Sequence, residues 1–289
     1  MTTAVAAPFR FFSLQVTRTR RLGPSLVRVT FAGADLAHFH SDGRDQSLSL
    51  FLPAEGRTEP AVPVELGEGW FRGWRELPDD VRAVMRSYTL RELRRGPDEI
   101  DIDFVLHGVG PGASPTPGSA PAGGPPSPAG PASRWASRAA AGDRVVLLGP
   151  AVADNRAIRF RPPEDTGLVL IWGDDTAVPA ATAIIESLPA GARVRAWLEV
   201  PHAGDVQDVA TAADAEIDWV VGTTAEAAIR GARLPAGERP YVWIAGESGR
   251  VKELRRHFVG ERGVDRRRVT FVGYWRQGLT EEQLREAGE

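Results

Sequence analysis

Arg86-Ser87-Tyr88-Thr89-Leu90-Arg91 is the stretch whose residue types best suit chemistry at a bound organic group. It reads as a strand, so alternation sets Arg86, Tyr88 and Leu90 on one face and Thr89 and Arg91 on the other. A flat redox group such as a flavin needs an aromatic face, a small hydrogen-bonding group near its reactive nitrogen and a cation for its pyrophosphate. Tyr88, Thr89 and Arg86 supply those types in order. They equally suit a plain strand, where Tyr and Thr are good formers. A second stretch, Asp103-Phe104-Val105-Leu106-His107-Gly108, resumes as Gly130-Pro131-Ala132-Ser133-Arg134-Trp135-Ala136 once the Pro/Gly segment between them is set aside. A strand would there enter a turn opening a short helix, whose free amides and serine hydroxyl can cradle phosphate. The plainer alternative is a serine N-cap. His107 can orient a ligand or serve structure alone.

Three further stretches end strands in the second half. Trp172-Gly173-Asp174-Asp175-Thr176-Ala177-Val178-Pro179-Ala180 lies where a pyridine-nucleotide reductase usually carries glycines. Asp174 and Asp175 bring negative charge there, which repels a pyrophosphate although it suits a helix N-terminus. The turn reads as an altered nicotinamide site or as N-capping. In Tyr241-Val242-Trp243-Ile244-Ala245-Gly246-Glu247-Ser248, Gly246 permits a tight turn, and Glu247 with Ser248 can cap the next helix. Arg250, Lys252, Arg255 and Arg256 on that helix read as a solvated face. Gly273-Tyr274-Trp275-Arg276-Gln277-Gly278 sets two aromatics and a cation at a strand end. They can cover a flavin, face an anion or simply pack.

The elements that position these residues fall into two halves. In the first, residues 11–20, 25–31, 48–52, 85–90, 100–106 and 144–148 read as six short strands, with almost no helical periodicity. That pattern predicts a small antiparallel barrel. Residues 109–130 are nearly all Gly, Pro, Ala and Ser and read as a disordered loop insertion. The second half alternates buried strands (167–172, 193–200, a short 219–221, 241–245, 268–272) with helices (176–188, 225–233, 249–259 and a terminal 280–287). Alternation of that kind predicts a parallel sheet with helices on both faces. The expected domains are 1–150 and 151–289, with Pro150, Pro162 and Pro163 marking the linker.

Composition narrows the chemistry. The 289 residues are 42% hydrophobic and 25% charged, enough apolar material for two cores. A net charge of -3 gives no basic field for nucleic acid. Of the 35 cationic side chains only Lys252 is a lysine, which fits a codon bias or an arginine-lined anion pocket. The absence of cysteine removes disulfides, thiolate metal sites, cysteine nucleophiles and cysteine-ligated clusters. The five histidines show no ligand spacing beyond His38/His40, so no metal site is expected. No signal peptide and no apolar run of about 20 residues is read, so neither export nor membrane insertion is expected.

Taken together, these segments resemble the siderophore-interacting protein family. The blocks RSYTLR (86–91), DIDFVLHG (101–108), GPASRWA (130–136), GDRVVLLGP (142–150), WGDDTAVPA (172–180), VWIAGES (242–248) and GYWRQG (273–278) occur in family order across nearly the whole chain. The resemblance implies a ferredoxin-reductase-like fold, an FAD-binding barrel followed by a nucleotide-fold domain. It implies reduction of ferric siderophores, with NADH, NADPH or ferredoxin as electron donor. A monomer is expected separately, and a cytoplasmic location from the lack of a signal peptide and of a membrane run. Arg86, Ser87, Tyr88, Thr89, Asp103, His107, Gly130, Ala132, Ser133 and Trp135 would serve the FAD. Gly173, Asp174, Asp175, Thr176, Ala177, Glu247 and Trp275 would form the donor side. No acid or base residue is required for electron transfer. One departure stands out: the family usually carries His and Lys where this chain has Ser47 and Ser49. Arginines such as Arg72, Arg75, Arg82 and Arg276 would then hold the anionic substrate. The alternatives are reduction of another acceptor (free flavin or a quinone) and a non-catalytic protein that holds flavin or a ferric chelate.

Overall fold

The computed structural model describes residues 8–109, 129–233, 237–279 and 283. The terminal helix expected at 280–287 and nearly all of the 109–130 insertion lie outside the described residues. Two compact units divide the chain, the change falling between Ile158 and Arg159.

The first unit contains strands β1 (Phe9–Arg21), β2 (Leu26–Ala32) and β3 (Ser47–Leu52), helix α1 (Trp70–Glu76), strands β4 (Val84–Thr89), β5 (Glu92–Arg94) and β6 (Glu99–Val105), helix α2 (Pro131–Arg138) and strand β7 (Arg144–Pro150). The strands form one antiparallel sheet in the order β4-β3-β7-β1-β2-β6-β5. Its two edges, β4 and β5, are consecutive in sequence. Leu90 N–H donates to Gln46 O and Arg91 N–H to Asp101 O, both at 2.9 Å, so the sheet curls until its edges meet at residues 90 and 91. The barrel therefore has seven strands rather than six. The additional one, β5, continues the motif strand after the kink, and three residues with two charges give no readable period.

Strand β6 shows how alternation builds this unit. Ile100, Ile102 and Phe104 point into the core with Phe12, Val29, Phe31 and Leu50. Asp101 and Asp103, on the opposite face, are buried too, but among arginines: Arg28 clamps Asp103 at 2.7 and 2.8 Å, and Arg94 clamps Asp101 at 2.7 and 2.8 Å. Helix α1 was not anticipated. Seven residues make barely two turns, too few for a helical period to show. Trp74 covers Phe51, Ala83 and Met85 on the outer face of the sheet.

The second unit contains β8 (Leu168–Gly173), α3 (Val178–Ser187), β9 (Arg193–Val200), β10 (Asp214–Val221), α4 (Glu226–Gly231), β11 (Pro240–Glu247), α5 (Ser248–Arg256) and β12 (Val269–Trp275). All strands are parallel, in the order β10-β9-β8-β11-β12. On one face Val169, Ile171, Tyr241 and Trp243 pack against Val178, Ala181, Ile184 and Ile185 of α3. On the other, Leu168, Leu170, Val242 and Ile244 pack against Ile229 of α4 and Val251 and Leu254 of α5. Helices on both faces make the sheet doubly wound, as the alternation of elements predicts. Strand β10 is longer than the expected 219–221. Asp214, Glu216 and Asp218 make it read as polar, and it lies at the sheet edge, where Arg195 of β9 meets Glu216 and Asp218. Helix α5 ends in a π turn at His257–Glu261.

Candidate functional site

Each unit carries a candidate site. In the barrel, β4 presents Arg86 and Tyr88 half-buried on one face and an exposed Ser87 on the other, with Thr89 buried. Tyr88 is braced from behind: its ring lies 4.3 Å from Phe104, which lies 5.7 Å from Trp135, and Trp135 stacks on Phe31 at 6.3 Å. Trp135 is thus a core residue, only 8% exposed. Ser133 is not an N-cap. Gly130 caps α2 without a side-chain bond, and Ser133, inside the first turn, accepts from His107 N–H at 3.3 Å and donates to Val105 O at 3.1 Å. That pair of hydrogen bonds ties the end of β6 to α2 and sets His107 beside the helix start. Burial pushes the His107 imidazole down, so it is neutral at pH 7. Asp103 is clamped by Arg28, with Arg91 at 3.8 Å, and belongs to the ion network. The sequence thus brings Arg86, Ser87, Tyr88, Thr89, His107, Gly130, Ala132 and Ser133 into one unit, with Asp103 and Trp135 supporting from behind.

The arginines expected at substrate divide. Arg72 and Arg75 lie on α1, with Arg72 beside Glu76 at 3.7 Å. Arg82 pairs with Asp79, donates to Arg75 O at 3.1 Å and stacks 5.5 Å over Trp74. Arg276 lies in the other unit, after β12.

The second candidate is an open cleft of about 200 Å³ at the carboxyl ends of β8, β9, β11 and β12. It flanks the β8/β11 boundary, where the strand order reverses, the place open α/β sheets bind ligands. Asp174, Asp175, Glu199, Glu247, Arg250, Thr223 and Trp275 are among its walls. Asp174 is a latch rather than a ligand-facing charge. It accepts from Thr176 N–H (3.1 Å) and Oγ1 (2.5 Å), Glu247 N–H (2.8 Å) and Trp275 Nε1 (2.8 Å), tying the ends of β8, β11 and β12 together. Gly246 is required beside it, since a Cβ there would lie 2.5 Å from Asp174 Oδ2, at a φ of +142°. Asp175 is different. It is 2% exposed, and neither carboxylate oxygen has a well-formed hydrogen bond. Burial, then the neighbouring Asp174, push its carboxyl well above the usual range, outweighing a weak backbone contact from Thr176. Glu247 caps α5 as expected, accepting from Arg250 N–H at 2.9 Å.

Glu199 and Arg250 were missed. Arg250 is not on a solvated face: it holds Glu199 through two bonds of 2.5 and 2.6 Å and lies 4.7 Å over the Trp172 ring. Glu199 also accepts from Trp172 Nε1 and from Ala225 N–H. An acid near the carboxyl end of an otherwise apolar strand, RVRAWLEV, was the available signal. Among the described residues no cluster of His, Asp and Glu has the geometry of a metal site. No helix among them is long and apolar enough to cross a membrane.

Comparison with known proteins matches both halves. The siderophore-interacting FAD-binding domain family aligns with residues 15–154, and the siderophore-interacting protein family with residues 167–278. The ferric vibriobactin reductase of Vibrio cholerae is 30% identical over 94% of this chain and 92% of its own. The NADPH-dependent ferric-chelate reductase of Escherichia coli is 28% identical over 92% and 93%. Among solved structures, the siderophore-interacting protein SipS from Aeromonas hydrophila superposes with a TM-score of 0.72, 31% identical over 96% of each chain. At the level of fold alone, the ferredoxin reductase of carbazole 1,9a-dioxygenase aligns with 94% of this chain and 71% of its own, with a TM-score of 0.58 at 15% identity. A barrel followed by a doubly wound sheet, matched end to end at this identity, makes the chain a member of the siderophore-interacting protein family.

Proposed function

We propose that this chain is an FAD-dependent oxidoreductase that reduces the iron of ferric siderophores, releasing it as Fe(II) in the cytoplasm. The observation that carries the reading is strand β4, which lines up Arg86, Ser87, Tyr88 and Thr89 at the barrel seam in a chain aligned with a ferric vibriobactin reductase over 92% of that protein. The donor set fits FAD. Tyr88 offers a ring held rigid by Phe104, and Ser87 and Thr89 offer hydroxyls. Arg86 and the amides at Gly130, Ala132 and Ser133 suit the phosphates. The neutral His107 adds a hydrogen bond without adding charge. Asp103 and Trp135 act as positioning residues, one through Arg28, the other through Phe104.

FAD, when bound, supplies the single-electron chemistry that converts Fe(III) to Fe(II). The protein's own residues hold and orient. Arg72, Arg75, Arg82 and Arg276 suit the anionic oxygens of a hydroxamate or catecholate chelate. Hard oxygen donors bind Fe(II) far more weakly than Fe(III), so the reduced ion dissociates. The cleft walls at Gly173, Asp174, Asp175, Thr176, Ala177, Glu247 and Trp275 suit a nicotinamide donor, with reduced ferredoxin as the other candidate.

Absorption spectroscopy of the purified protein, with the cofactor identified after heat release, is the first test. A flavin spectrum with FAD released is expected. A colourless protein that takes up no FAD would sink the reductase reading and leave a non-catalytic binder of ferric chelate. Anaerobic turnover with a ferrous-specific chromophoric chelator then compares acceptors. Ser47 and Ser49 pair with Thr89 and Ser87 on β4, so short hydroxyls stand where the family usually has His and Lys. Equal turnover of free flavin, a quinone and ferric siderophores would favour a different acceptor.

A further inference from the structure

We infer that the cleft at the carboxyl edge of the parallel sheet takes NADH in preference to NADPH, because the loops that follow β9 and β10 carry no arginine or lysine to pair a 2′-phosphate and the cleft's own cation is already committed. The inference rests on the nicotinamide-donor reading above. In doubly wound sheets the dinucleotide lies across the carboxyl ends of the strands. An acidic residue near the end of the second strand favours the ribose hydroxyls, whereas an arginine nearby accommodates a 2′-phosphate.

Here the second strand is β9, and Glu199 is its penultimate residue. Beyond it, Pro201-His202-Ala203-Gly204-Asp205 carries no Arg or Lys, and Asp205 is buried. Beyond β10, Gly222-Thr223-Thr224-Ala225-Glu226 carries none either. The cleft's own cation, Arg250, is committed to Glu199 by two bonds and stacked on Trp172. Arg276 follows β12, three strands from β9, which is about 14 Å at the usual strand spacing. Asp174 and Glu247 also wall the cleft, each already accepting hydrogen bonds from its neighbours. A 2′-phosphate adds about −1.5 to −2 charge at pH 7. It would find no cation on these loops to pair with, whereas two ribose hydroxyls need none.

The test uses the FAD-loaded protein with a ferric siderophore as acceptor, and equilibrium binding of each nucleotide by quenching of tryptophan emission, Trp275 being a cleft wall. NADH is expected to bind at least about tenfold more tightly, with kcat/KM higher by a similar factor. Thr223→Arg, at an exposed position on the cleft rim, should raise NADPH affinity several-fold and narrow the ratio. Equal or tighter binding of NADPH by the unaltered protein overturns the inference while leaving a nicotinamide-dependent reductase. Failure of both nucleotides to quench or to support turnover, while dithionite-reduced protein still reduces the ferric chelate, overturns the nicotinamide-donor reading and this inference with it.

Discussion

Asp101 in the barrel and Asp175 in the α/β unit are buried to the same degree, 3% and 2% exposed, and are otherwise opposites. Asp101 accepts from Thr30 Oγ1 at 2.6 Å and from both terminal nitrogens of Arg94, with Arg28 at 4.0 Å. Burial is the largest single influence on its carboxyl and would raise it, yet Arg94, Thr30 and Arg28 together outweigh burial and hold it below the usual range. Asp175 has no such partners. Burial and Asp174 act in the same direction, with smaller pushes from Asp205 and Glu199, and the carboxyl is held well above the usual range. Charge in the barrel stitches β2, β5 and β6 together and is consumed in doing so. In the cleft, one acid is left without a structural task, the pattern that marks a group kept for function.

Breaking the barrel side of the contrast should have the larger effect. Asp101→Ala removes the bidentate partner of Arg94 and the acceptor of the Thr30 hydroxyl, leaving Arg94 only Glu92 and Glu99 while Arg28 keeps Asp103. Removing one partner of a buried ion pair costs about 3–5 kcal/mol. Urea unfolding of the variant should show that loss, with faster hydrogen exchange at β5 and β6. A change under about 1 kcal/mol would mean that the network is solvated and not a stitch. Gly246→Ala comes next. Its Cβ would collide with Asp174 Oδ2 at a φ that L-residues rarely adopt. Strain of that kind costs about 1–3 kcal/mol. The displaced carboxylate should release Trp275 Nε1, visible as a shifted indole N–H resonance, whereas an unmoved resonance would show that Asp174 is not the latch.

The same contrast has a pH signature. Asp101 stays ionised in the fold where the unfolded chain is protonated, so its contribution is full above about pH 4 and is lost as pH falls through its lower folded value. Asp175 stays neutral in the fold where the unfolded chain has ionised. Its unit is therefore most stable, as far as this group is concerned, near and below about pH 4, and loses stability as pH rises toward its raised folded value. Hydrogen exchange corrected for intrinsic rates should show protection of β8 falling from pH 4 to pH 8 while β6 holds steady. Parallel trends in the two strands would remove the contrast.

Much of this was legible in the sequence, for physical reasons that differ by element. The run GLVLIW could only be a doubly buried strand, and β8 is buried throughout. RSYTLR could be placed on a strand because period two needs only a few residues to appear. What failed to show were elements whose stability comes from partners elsewhere. β5 is tied to β6 by the ladder and by Arg94 to Asp101 and Glu99, and β10 to β9 by an eight-residue ladder with Arg195 crossing to Glu216 and Asp218. The cleft followed the same rule. Asp174 and Asp175 were visible as an anomaly in a nucleotide turn, but adjacent residues with one side-chain type received opposite roles. Asp174 works through Trp275, 101 residues away, and Glu247, 73 away, pairings that no local pattern encodes.

Asp175→Asn is the mildest change and isolates the difference best. Asparagine keeps the volume and cannot ionise. Because burial and Asp174 push the Asp175 carboxyl well above its usual range, the substitution replaces a group driven toward its uncharged form by one that cannot ionise. The unfolded chain, in contrast, no longer gains from ionising there. Stability at pH 7 should therefore stay within about 1 kcal/mol of the unaltered protein or rise, and the pH dependence of β8 exchange should flatten. Asp101→Asn, the same chemical change, should still destabilise, since an amide cannot accept Arg94 as a charged pair. Equal losses from the two asparagine variants would mean that Asp175 is ionised and paired in solution. The cleft would then be closed on itself like the barrel network, with no acid set apart for a ligand.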